Sequence, residues 1–117
     1  MSEFQNKAVR LMIASTGEAS VGDLDERRKN VLTTAMELYL ALGGTFEQLE
    51  ACVEQGASLE PRRVDVAVGE MMLELAAVSH IHDIDIMQAA HNTLDIGLQQ
   101  ATAPTGHKAG QSDGFFA

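Results

Sequence analysis

The tripeptide Gly43-Gly44-Thr45 constrains this chain more than any other feature. Glycine takes without strain the left-handed backbone that closes a helix. A threonine with glutamine three residues later, here Thr45 and Gln48, forms a capping box that opens one. The tripeptide therefore reads as a helix stop followed at once by a helix start. On both sides the apolar residues recur at steps of three and four, the period of a helix with one buried face. No run alternates for long enough to make a convincing strand.

Extending this punctuation along the chain predicts about five helices. The first spans Glu3 to Ser15, carried by Phe4, Ala8, Leu11 and Met12, and a loop follows from Gly17 to Gly22. Asp23 and Glu26 form a capping box for a second helix running to Leu42. The third opens at Thr45 and ends near Gln55-Gly56. Ser58 caps the fourth, with Pro61 early in it, where a missing N–H costs little; it runs to His82. Asp83-Ile84-Asp85 breaks the pattern, and Asp85 caps a fifth helix to Ala101. The sequence TAPTGHKAGQSDGFFA, residues 102–117, has no period and reads as a mobile tail. The expectation is an all-α helical bundle over residues 1–101. The fourth helix, with Val64, Val66, Val68, Met71, Met72, Leu73, Leu75, Val78 and Ile81, is apolar on more than one face. A helix of that kind needs a second partner, so a homo-oligomer is expected.

Composition narrows the function. The net charge is −9 with eight Lys plus Arg, which speaks against a nucleic-acid partner, since that needs a basic face. No apolar run reaches the length of a membrane span, and the N-terminus lacks the apolar core of a signal peptide. One cysteine, Cys52, cannot make an intrachain disulfide. That fits a reducing, cytoplasmic setting. Its neighbours Leu49 and Val53 predict a buried thiol.

Glu37 stands out inside the apolar run VLTTAMELYLALGG. It shares a helix face with Glu26, Asn30, Thr33 and Thr34, at steps of three and four. On the fourth helix Glu70 and Glu74 are four apart and share a face. Glu37 and Glu70 facing one another across two antiparallel helices would make a divalent-cation site, because carboxylates tolerate such proximity when a cation lies between them. The bland alternative is that both are rim residues snorkelling beside apolar neighbours. His80, His82 and His91 lack zinc spacing and read as turn residues. No phosphate loop follows the glycine pair, because the lysine it needs is missing.

Three segments, FQNKAVRLMIAS, DERRKNVLTTAMELYLALGGTFEQLEACV and VGEMMLELAAVSHIHDIDIMQAA, carry a family resemblance. Over about Phe4 to Gln100 the chain resembles the MazG-like all-α NTP pyrophosphatases, in particular the compact single-domain versions of bacteria and their phages. That resemblance implies a helical dimer or tetramer that hydrolyses nucleoside triphosphates to the monophosphate and pyrophosphate. It implies Mg²⁺ held by a Glu-Glu-x-x-Glu motif and a later Glu-x-x-Asp motif. Laid on that pattern, the adjacent glutamates fall on Thr33 and Thr34 and the third on Glu37. The second motif falls on Ala67 and Glu70. Two carboxylates remain, with Glu74 one turn away to complete a reduced metal site. The family's basic residues on the last helix are missing, since Ile86 to Ala101 contains no Lys or Arg.

The resemblance thus implies a nucleotide or nucleotide-derived ligand in a helix-lined groove bordered by Asn30, Thr33 and Thr34, with hydrolysis weak or lost. One alternative is an active Mg²⁺-dependent NTP or dNTP pyrophosphohydrolase using Glu37 and Glu70. Another is a helical oligomer whose role is protein interaction alone.

Overall fold

A computed structural model of the protein describes residues 1–101; the expected tail lies outside them. The described residues form six helices and no strand: α1 (Glu3–Thr16), α2 (Glu18–Val21), α3 (Leu24–Ala41), α4 (Phe46–Gly56), α5 (Val64–Ile81) and α6 (Ile86–Ala101). The all-α expectation holds, with one helix more than the sequence predicts. None of these helices is long and apolar enough to cross a membrane. Two compact units share the chain. One takes Met1–Met36 with the described residues from Met87, and the other is Glu37–Ile86.

In the first unit, the Ser2 hydroxyl caps α1 by accepting from the Gln5 N–H at 3.1 Å. Leu11 on α1 and Leu94 on α6 are its buried apolar side chains, at 3% and 5% exposure. The Phe4 and His91 rings pack in a T-shape with centroids 5.8 Å apart. Gly17, at φ 92°, closes α1 by donating to the Ile13 carbonyl. The expected loop from Gly17 to Gly22 instead coils into the single turn of α2, closed by the Gly22 N–H on the Glu18 carbonyl at 3.2 Å. One turn leaves no period to read. Asp23 caps α3 as expected, its carboxylate accepting from the Asp25 and Glu26 N–H groups at 2.9 and 3.4 Å. The capping box is incomplete, because the Glu26 carboxylate accepts from the Ser20 hydroxyl instead of returning to Asp23.

In the second unit, the glycine pair behaves as its composition requires. Gly44 N–H donates to the Tyr39 carbonyl and Gly43 N–H to the Leu40 carbonyl, both at 3.0 Å, with Gly43 at φ 90°. This is a Schellman closure. Gly44 has a second role. A Cβ there would meet the Tyr39 ring, which would have to move. Thr45 and Gln48 then make both bonds of the capping box, at 3.2 and 3.1 Å.

The next start differs from expectation. The Ser58 hydroxyl donates back to the Gln55 carbonyl at 3.2 Å, and α5 begins only at Val64 behind an uncapped Arg63. Pro61 disfavours helical backbone in the residue before it, which keeps the link extended. At the far end of α5 the Schellman closure recurs. Ile84 N–H donates to the Ser79 carbonyl at 2.8 Å and Asp83 N–H to the His80 carbonyl at 3.2 Å. Here Asp83, at φ 54°, is the left-handed residue. Gly43 and Gly44 thus find counterparts in Asp83 and Ile84, and α3 and α5 are each 18 residues long. The chain uses one helix–link–helix pattern twice.

The burial pattern is the least expected feature. None of α3, α4 and α5 contains a fully buried residue. On α5, Leu73 is 71% exposed, Ile81 76% and Val64 79%.

The two closures should respond to substitution with opposite signs. Gly43→Ala should lower stability by about 1 kcal/mol, because the left-handed region penalises a Cβ. Asp83→Gly should raise it by about 0.5–1 kcal/mol for the same reason. Urea denaturation of both variants reads this directly, and shifts of the same sign would show that left-handed closure does not decide these helix ends.

Candidate functional site

The polar face of α3 is built by helix geometry alone. Arg27, Asn30 and Thr34 follow one another at steps of three and four, and Thr33 borders them. Arg27, Asn30 and Thr33 are half-buried, and Thr34 is exposed. Helical serines and threonines commonly turn the hydroxyl back to the carbonyl four residues earlier. Thr16, Ser79 and Thr93 do so, at 2.9, 2.7 and 3.1 Å. Thr33 and Thr34 make no such bond, and the Asn30 side chain is also without a partner among the described residues. Three neutral side chains therefore keep hydrogen-bonding capacity in reserve.

Arg27 supplies the charge on this face. Its Nη2 lies 3.9 Å from a Glu26 oxygen that already accepts from Ser20. Its Nε is buried and has no hydrogen-bond partner among the described residues. A buried donor without an acceptor costs about 1–3 kcal/mol. A guanidinium donor flanked by hydroxyls and an amide suits a phosphate-type anion. Carboxylates at positions 33 and 34 would repel such a group, and threonines do not.

The acids are arranged differently from the expected metal site. Glu37 is exposed and makes no ion pair or hydrogen bond among the described residues, and neither does Glu74. Glu70 is held by Arg62, whose Nη1 lies 2.5 and 2.6 Å from its two carboxylate oxygens. Arg63 pairs with Asp65 at 2.7 Å. No three His, Cys, Asp or Glu side chains among the described residues come together as a metal-holding group. Glu70 is thus countered by a guanidinium, whereas Mg²⁺ takes six oxygen ligands in near-ideal octahedral geometry and would need further oxygens beside Glu37, Glu70 and Glu74.

Glu37 lies between the half-buried Met36 and Leu38, and Val31, Leu32, Leu40 and Leu42 of the same run are exposed, so much of the run is at the surface. The same fact corrects the expectation for Cys52, which is exposed, as is its neighbour Val53. Apolar flanks bury a thiol only when they are themselves covered. His82 Nδ1 lies 3.1 Å from the Val78 carbonyl, a turn residue's contact, and His91 serves the Phe4 contact.

No family model, no curated protein and no solved structure matches this chain.

Arg27→Met separates a ligand role from a structural one. With nothing bound, removing a buried unsatisfied donor should leave stability unchanged or raise it by up to about 1 kcal/mol in urea denaturation. A loss above about 1.5 kcal/mol would assign the guanidinium to the fold.

Proposed function

We propose that this chain is a MazG-like all-α protein that binds a nucleotide or nucleotide-derived ligand by its phosphate, with NTP hydrolysis weak or lost. In this reading Arg27 meets the phosphate, and Asn30, Thr33 and Thr34 add neutral hydrogen bonds. The observation that carries the reading is the buried, unpartnered Nε of Arg27 on the face where Asn30, Thr33 and Thr34 keep their hydrogen-bonding groups free. Neutral residues in place of acids favour a phosphate that arrives without a metal, because like charges no longer face it. The Arg62–Glu70 pair supports the loss of hydrolysis, since it occupies one of the two carboxylates left in the family's pattern. The same proposal includes assembly as a dimer or tetramer, supported by the exposed apolar side chains of α5.

Two assays on the full chain test the ligand reading. Calorimetric titration with nucleoside triphosphates and monophosphates should show binding that persists in excess chelator. That binding should weaken at least tenfold in Arg27→Met, the loss of about 1.4 kcal/mol that one charge-assisted hydrogen bond supplies. A pyrophosphate-release assay with Mg²⁺ or Mn²⁺ should show no turnover above background. Turnover that vanishes in Glu37→Gln would instead make the protein an enzyme with a reduced metal site.

A further inference from the structure

The Arg27 guanidinium is only half answered within its own helix. Glu26 Oε2 lies 3.9 Å from its Nη2, too far for a hydrogen bond and close enough for the two charges to act on each other. That carboxylate cannot turn away without losing a bond. Ser20, half-buried in the single turn of α2, donates its hydroxyl to the same oxygen. Asp23, one turn before Arg27 on the same face, is also held, its carboxylate accepting from the N–H groups of Asp25 and Glu26. No second cation of α3 offsets these acids. Arg28 is taken by Asp25, and Lys29 projects from the opposite side of the helix.

A phosphate that reaches Arg27 therefore meets one positive charge with negative charge fixed beside it. The first negative charge on a ligand is attracted. Each further one gains little from Arg27 and is repelled by Glu26. A phosphate diester carries a single charge, a monoester about 1.5–2 at neutral pH, and a triphosphate more. We propose that Glu26, positioned by Ser20, sets the charge specificity of the Arg27 site, which selects a singly charged phosphodiester over monoesters and triphosphates. Two unit charges about 6 Å apart repel by enough to weaken binding roughly threefold even at the dielectric of water, and by more where one is part-buried. Arg27 is such a place, with its side chain 28% exposed. A carboxylate so placed excludes the wrong ligand and adds nothing to the hold on the right one. The ligand this fits is a nucleotide whose phosphate is esterified on both sides.

The inference rests on the ligand reading of Arg27 proposed above. It is tested by calorimetric titration of the full chain, in excess chelator so that no metal masks the phosphate charge. The probes are a cyclic nucleoside monophosphate, the corresponding open monophosphate and the triphosphate, in the adenine and guanine series. The cyclic monophosphate should bind tightest, the open one about threefold more weakly and the triphosphate about tenfold more weakly. Added salt should narrow that spread, because the Glu26 side chain is 49% exposed and its charge is screened. Glu26→Gln keeps an oxygen to accept from Ser20 and removes the charge. It should raise affinity for the triphosphate about tenfold and for the cyclic monophosphate no more than about threefold. A wild type that ranks the triphosphate first, or a Glu26→Gln variant that gains equally for all three, overturns the charge selection and leaves the Arg27 reading standing. The wild-type ranking does not depend on the variant folding. No binding of any of the three, or binding that Arg27→Met leaves unchanged, overturns both.

Discussion

A folded chain must take its apolar side chains out of water, and here that requirement is met at few positions. Leu11 and Leu94 are fully covered, while the helices between them keep valines, leucines and methionines at the surface. Burial is the main favourable term in folding, so local interactions carry an unusual share of the definition of each helix. The Ser2, Asp23 and Thr45 caps and the two Schellman closures fix where helices begin and end without calling on a core.

That explains which parts of the fold were legible in the sequence. Gly43-Gly44, Thr45 with Gln48, and Asp23 act on neighbours within a few residues, so their chemistry can be read from spacing. The start of α5 was not legible, because Ser58 has two local uses and the sequence does not say that it turns back to Gln55. The exposure of Cys52 was missed for the opposite reason. It depends on whether distant segments arrive to cover Leu49 and Val53, and no local pattern encodes that.

The candidate site divides in the same way. The common face of Asn30, Thr33 and Thr34 follows from helix periodicity. The role of Arg27 does not, since a nitrogen becomes an orphan only when the packing around it excludes both water and acceptors. The Arg62–Glu70 pair bridges eight residues and joins an extended link to a helix, a reach that no spacing rule for helices covers. The resemblance directed attention to the carboxylates, whereas the geometry shifts the interest to the Arg27 guanidinium and its neutral neighbours.

The repeated helix–link–helix pattern carries a difference between its copies. The first closure turns on Gly43, which occupies the left-handed region at no steric cost, and the Tyr39 ring lies against the neighbouring Gly44. The second turns on aspartate, which does not share that freedom. Two hinges of the same geometry therefore differ in how readily they open. Amide hydrogens around Ile84 should exchange with solvent sooner than those around Gly44, so of these two junctions the one between α5 and α6 opens first.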